Sequence, residues 1–322
     1  MRVASFFAGI GGFDLGFQRA GHEIVFQCEI DEFCFQTLSY HWPEVKREKD
    51  VRTIISTTVP TAEIWCGGFP CQDVSLARAR TREGLKGKNT GLFYPFAELL
   101  GQALPPIFVL ENVPGLLSSH GGRDFAIVLQ TLAKFGYAVA WRVLNSQYFG
   151  LPQSRSRLYI VGYYRDPKRA GEILFEPECG SRNVEACKQT RKKSLSAFKE
   201  SLGDHGKGPI VQRISYCLAA TSGRHTGTDW SRSYVCYPKA VRRFTPEETE
   251  RLQGFPTGWT LPPSLKGISK QEIDSPRYAA LGNAVSVPVA EWIGQRIGLV
   301  AEEFAAQKNL IDNLPVEVGS SL

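Results

Sequence analysis

The sequence predicts an α/β fold: a Rossmann-like, mostly parallel sheet with a second, small irregular domain. Three observations lead there. Short apolar runs alternate with helix-patterned segments through the first 165 residues. A glycine-rich turn, Gly9-Ile10-Gly11-Gly12, follows the first apolar run and opens a helical pattern. From about Asp166 the alternation dissolves into turn-forming, basic sequence.

Residues 3–7 are an apolar run of strand length, and the glycines behind them allow a tight turn into a helix over 13–20. A second strand over 24–27 leads to Glu29. Residues 33–40 place apolar side chains three and four apart, a helical spacing. The run at 64–66 reads as a strand closed by Gly67-Gly68-Phe69-Pro70. Helices over 92–104 and 125–135 flank a strand at 107–110, and strands at 138–144 and 158–162 complete the set. Strands that are apolar on consecutive residues are covered on both faces, as in a parallel sheet. Thr245 is a good N-cap ahead of Pro246 at a first helical position, and a last amphipathic helix covers 288–304. The expected division is one large unit (1–165 with 242–306), a small one (166–241) and an acidic tail (307–322).

Of the 322 residues 43% are hydrophobic and 22% charged, the balance of a globular chain. No run approaches the ~20 apolar residues that span a bilayer. The opening residues carry no basic-then-apolar leader, so no signal peptide is expected and a cytoplasmic location is. Eight cysteines form no Cys-x-x-Cys pair, which argues for reduced thiols without a metal centre. Net charge is +6, yet residues 165–243 alone hold sixteen Lys or Arg against eight Asp or Glu. Positive charge gathered in one segment suits a surface that meets a polyanion.

The densest run is Cys66-Gly67-Gly68-Phe69-Pro70-Cys71-Gln72. It puts Cys71 just past the carboxyl end of a strand, where open α/β sheets bind ligands. A nucleophile fits that place, although free cysteine is also among the most buried residue types. Twenty residues beyond Gly9, Glu29 ends the second strand, where an acid can hold ribose hydroxyls. The loop starts with an aromatic, Phe7, and suits a nucleoside without pyrophosphate. Asp50-Val51 supplies either an acceptor for an adenine amino group or a solvated loop acid. Glu111-Asn112-Val113-Pro114 follows the strand at 107–110, so Glu111 is either an active-site acid or a helix N-terminal acid stabilised by the dipole. In Gln153-Ser154-Arg155-Ser156-Arg157, alternation puts Arg155 and Arg157 on one face. They either hold a substrate carbonyl or the glutamate, or form a surface pair.

These pieces, with Gly91-Leu92-Phe93, Arg251-Leu252-Gln253-Gly254-Phe255-Pro256 and Gly282-Asn283-Ala284-Val285, stand in the order found in bacterial cytosine-C5 DNA methyltransferases, and the chain resembles that family over 3–162 and again over 242–297. The resemblance implies an S-adenosylmethionine-dependent methyltransferase fold and sequence-specific transfer of a methyl group to C5 of a flipped-out cytosine through a covalent bond from Cys71 to C6. A tRNA cytosine-C5 methyltransferase on the same scaffold is the alternative. The implied catalytic residues are Cys71, Glu111, Arg155 and Arg157. Those implied for S-adenosylmethionine are Phe7, Gly9, Ile10, Gly12, Glu29, Asp50, Val51, Pro70, Leu92 and Asn283; the product is S-adenosylhomocysteine. Residues 166–241 become the target-recognition domain. The partners implied are double-stranded DNA and a cognate restriction endonuclease, with the enzyme itself a monomer.

Candidate DNA contacts are Ser75, Arg78, Arg80, Arg82, Lys86 and Lys88, basic residues set among Gly84, Gly87 and Gly91, with Arg224 and Arg232 in the middle segment. Two departures from the family pattern stand out. Asp73 follows the nucleophile by two residues, and Asn89 stands where many relatives have arginine.

Overall fold

A computed structural model describes residues 1–70, 90–176, 210–221, 233–238, 240–265 and 267–312. The chain opens β1 (Arg2–Phe6), α1 (Gly12–Arg19), β2 (Glu23–Cys28), α2 (Glu32–His41), β3 (Lys46–Glu48), β4 (Ile64–Gly67), α3 (Phe93–Ala103) and β5 (Ile107–Asn112). It continues with α4 (Arg123–Lys134), β6 (Tyr137–Asn145), β7 (Ser156–Tyr164) and α5 (Pro167–Leu174). The strands form one seven-stranded sheet in the order β3-β2-β1-β4-β5-β7-β6. Pairing is parallel from β3 through β5, while β7 runs antiparallel to both β5 and β6. The mostly parallel sheet expected from the sequence is therefore present.

Strand alternation divides the core between the two faces. Val3, Ile64 and Ile107 pack on one side with Phe17, Leu38 and Ile293. Phe6, Trp65 and Phe108 pack on the other with Phe26, Phe96 and Leu132. Phe6 lies at the centre of the second layer, its ring 4.6 Å from Trp65 and 5.2 Å from Phe96. Burying each such side chain stabilises the fold by about 1.5–3 kcal/mol. On the first face α1 lies so close to the C-terminal helix that a Cβ on Gly16 would fall 2.5 Å from that of Ala290.

Beyond the sheet lie three short strands, β8 (Ile210–Val211), β9 (Val235–Tyr237) and β10 (Ala240–Arg242), antiparallel in the order β10-β9-β8. Leu218, Val235, Phe244 and Leu252 form a small core of their own there. Then come α6 (Pro246–Gln253), α7 (Lys270–Asn283) and α8 (Val287–Asp312). The Thr245 cap is a full capping box: its hydroxyl accepts from Glu248 N, and Glu248 accepts from Thr245 N at 2.8 Å.

Besides the short strands β8, β9 and β10, which fall in sequence read as irregular, three elements escape the sequence reading. β3 is Lys-Arg-Glu and has no apolar pattern; it forms because its backbone pairs with β2. Residues 167–174, read as the start of irregular sequence, form α5, capped by Asp166 and burying Ala170, Ile173 and Leu174 against the main sheet. α7 carries Pro276 inside it, a residue that argues against a helix from sequence alone.

No described helix is long and apolar enough to cross a membrane. Cys71, Ser75, Arg78, Arg80, Arg82, Lys86, Lys88, Arg224 and Arg232, with Asp73 and Asn89, lie outside the described residues.

Candidate active site

The chain runs outward from β1 to β3, then returns to β4 on the other side of β1, so strand order reverses between β1 and β4. A cleft of about 300 Å³ opens there, beyond the carboxyl ends of the strands. Phe7, Gly9, Glu29, Asp50, Val51, Gly68, Pro70, Leu92, Glu111, Arg155, Arg157 and Asn283 line it. Residues far apart in the chain, and assigned to two different tasks, thus share one cavity.

The first half of the cleft is made largely from backbone. Phe7 adopts φ 51 and Gly9 φ 57, so the chain turns sharply out of β1. A left-handed conformation at a non-glycine residue such as Phe7 stores about 1–3 kcal/mol. The turn is held by Ala8 N, which donates to Cys28 O at 3.0 Å. Gly9 N and Asp31 N donate to the two oxygens of Glu29, at 2.7 and 2.8 Å. Burial raises the pKa of Glu29, and these two backbone donors pull it back down.

Ile10 and Gly12 do not line the cleft. The Ile10 side chain is fully buried in the core, and a Cβ on Gly12 would meet the Val285 carbonyl. Both support the loop from behind. The Ile10 carbonyl accepts from the Trp259 indole at 2.8 Å, and Trp259 in turn stacks on His41 with ring centroids 3.4 Å apart. Gly11, at φ 83, leaves room for Trp42, whose ring lies 2.6 Å from where a Cβ would stand. The sequence reading missed His41, Trp42 and Trp259, which carry no local signal of contact with this loop. Asp50 caps the 3₁₀ turn Val51–Thr53 and is paired with Arg52 through both oxygens. That guanidinium lowers the Asp50 pKa, so the acid is ionised.

Side chains make the second half. Glu111 sits on β5 opposite Tyr159 of β7, not at a helix terminus, which removes the helix-dipole reading. Its Oε1 lies 3.0 Å from Arg157 Nε. Burial raises the Glu111 pKa, against the lowering effect of Arg157 and then Arg155. A Cβ on Gly68 would stand 3.1 Å from Glu111 Oε2, so the carboxylate lies against the loop that leads to Cys71. Asn112 ties that loop to β5 by donating to Phe69 O at 3.2 Å, a role its motif did not reveal.

Arg155 is 2% exposed, which excludes a surface pair. Its guanidinium donates to the carbonyls of Leu218, Gly282 and Ala284 at 3.2, 3.1 and 2.8 Å. Arg155 Nε, buried in the cleft, has no hydrogen-bond partner among the described residues. Such an atom in a cleft marks a place for a polar ligand. No described group of His, Cys, Asp and Glu is arranged to hold a metal ion.

The chain is similar to known proteins. The family profile for C-5 cytosine-specific DNA methylases matches residues 1–197 and 172–299. The chain is 31% identical over 321 residues to the type II methyltransferase M2.BsuMI of Bacillus subtilis (strain 168), covering 92% of this chain and 75% of that protein. It is 34% identical over 306 residues to the type II methyltransferase M.NgoBI of Neisseria gonorrhoeae, covering 90% of each. Among solved structures, the methyltransferase EhMeth of Entamoeba histolytica superposes with a TM-score of 0.66 at 20% identity, over 94% of this chain and 98% of that one, a likeness of fold. With the sheet, the cleft and the sequence relatives in agreement, the chain belongs to the C-5 cytosine-specific DNA methylase family.

Proposed function

We propose that this enzyme methylates C5 of one cytosine within a short target sequence of double-stranded DNA, using S-adenosylmethionine. The residues present fit that cofactor. Glu29 lines the cleft with a carboxylate positioned by Gly9 and Asp31, as vicinal ribose hydroxyls require. A Cβ on Gly9 would meet nothing within 4 Å, so the loop borders open space. Phe7, Gly9, Glu29, Asp50, Val51, Pro70, Leu92 and Asn283 would hold the cofactor, with Ile10 and Gly12 supporting the loop. When bound, it supplies an electrophilic methyl group and leaves as S-adenosylhomocysteine.

Cytosine C5 is too electron-poor to be methylated unaided. In this reading the Cys71 thiolate adds to C6, which makes C5 nucleophilic. Glu111, its pKa raised by burial, contacts N3 and the exocyclic amine and stabilises the charge that develops as sulfur adds. Arg157 orients Glu111, and Arg155 fixes the segments around the base. Loss of the C5 proton then lets Cys71 leave by elimination. A base inside a duplex is out of reach of a cysteine, so the cytosine must flip out, at a cost of a few kcal/mol. The part of residues 166–241 that follows α5 serves as the recognition domain, with Arg224 and Arg232 toward DNA; Ser75, Arg78, Arg80, Arg82, Lys86 and Lys88 close on phosphates. The enzyme works as a monomer in the bacterial cytoplasm beside a cognate restriction endonuclease.

The observation that carries this reading is the buried Glu111–Arg157 pair against Gly68, in the same cleft as Glu29. The test is bisulfite sequencing of plasmid DNA from cells expressing the protein, beside Cys71→Ala. Wild type should mark one short motif and the variant none. An unmarked plasmid with modified tRNA would establish the alternative instead.

A further inference from the structure

The segment before and into β7 grips Leu218 by both its amide and its carbonyl. Gln153 Oε1 accepts from Leu218 N at 3.0 Å, and Arg155 donates to Leu218 O at 3.2 Å. Between these anchors the Cys217 sulfur lies 3.7 Å from Arg155 Nη1 and 3.8 Å from Arg157 Nη1. Arg157 is the guanidinium that pairs with Glu111. Cys217 therefore joins the chain leading out of β8 to the Arg157–Glu111 pair, and the buried Arg155 Nε, which has no hydrogen-bond partner, lies in the same cluster.

We infer that Cys217 is a positioning residue for methyl transfer, sharing Arg157 with Glu111 and so coupling the recognition segment to the base pocket. The inference rests on the cytosine-methyltransferase reading above. Its sulfur is a soft acceptor for two guanidiniums, Arg155 and Arg157, whose charges also act on Glu111. Desolvation opposes ionisation of the thiol, but Arg155 and Arg157 together outweigh it and lower its pKa. The other groups facing this cluster are Glu111 on β5 and Tyr159 on β7. By accepting from Arg157 the sulfur draws part of that guanidinium away from Glu111. Removing the sulfur leaves the full Arg157 charge on Glu111 and lowers its pKa.

The test compares wild type, Cys217→Ser and Cys217→Ala on a duplex containing the methylated motif. We measure kcat, KM and the pH profile of kcat, with DNA affinity by fluorescence anisotropy and thermal stability alongside. Cys217→Ala should lower kcat about tenfold with KM and DNA affinity changed less than about twofold. Its basic limb should move to lower pH, and Cys217→Ser should recover part of kcat. A packing role would lower stability and leave the pH limb in place; a direct DNA contact would appear in affinity alone. Either result, or two variants that match wild type, overturns the inference. Wild type inactive on every duplex would instead sink the functional reading beneath it. Should Cys217→Ala fold poorly, Cys217→Ser carries the same comparison.

Discussion

The two halves of the cleft are built by different means. The half formed by the β1 turn and Glu29 is a local device, in which a backbone amide at Gly9 meets a carboxylate twenty residues away. In the half around Glu111, partners come from distant parts of the chain: Arg157 lies on another strand, and the carbonyls that Arg155 holds are 63, 127 and 129 residues from it. That polar contact is set between the β1 turn and the end of β2, while Trp259 braces the loop from far along the chain. An assembly of long-range partners fails when any contributor moves.

The sharpest way to separate the halves is Glu111→Gln. It keeps the shape but loses both the ion pair and the proton, and kcat should fall about a hundred- to a thousandfold with cofactor affinity unchanged. Cofactor affinity falling in step, by calorimetric titration, would show that the halves are one energetic unit.

Arg155→Met should come next. It leaves three carbonyls without their buried donor, and each buried acceptor so orphaned costs about 1–3 kcal/mol. A urea-denaturation midpoint equal to that of wild type would contradict the clamp.

The local half makes a prediction about pH. Asp14 is fully buried beneath the glycine turn, accepting from Ser5 Oγ at 2.9 Å and Gln27 Nε2 at 2.8 Å. Burial pushes its pKa up from 3.8 to about 6, against the lowering effect of those bonds. The folded state thus binds this proton more tightly than the unfolded chain does. The stability it confers is complete below pH 3.8 and is lost as pH rises through about 6. The change is about 3 kcal/mol at about 1.4 kcal/mol per pH unit. Relative to Asp14→Asn, wild type should lose stability across that window in chemical denaturation; parallel curves would show that Asp14 does not titrate there.

The smallest expected effect is Glu29→Gln. Loss of a charged hydrogen-bonding group worth about 1.5–3 kcal/mol should weaken cofactor binding about tenfold to a hundredfold and leave DNA affinity intact. An unchanged dissociation constant would take Glu29 out of the cofactor site.

How far the sequence could be read follows the same division. The strands at 3–7, 64–66 and 107–110, the capped helix after Thr245 and the glycine turn with Glu29 were all legible, because each is fixed by side-chain periodicity or turn chemistry within a few residues. β3 was not, since its pairing with β2 comes from backbone and its side chains are polar. α7 was hidden by Pro276, which tertiary packing accommodates.

By itself the sequence determined the order of elements, the residue types brought to each strand end and the motifs that identify the family. Only the tertiary structure decided that Arg157 meets Glu111, that Arg155 is buried and holds three distant carbonyls, that Trp259 holds the Ile10 carbonyl, and that Cys217 stands beside two guanidiniums. The physical reason is that local conformation follows from short-range sterics and capping. Partners across 46 to 249 residues depend instead on strand register, and here on β7 running antiparallel between β5 and β6.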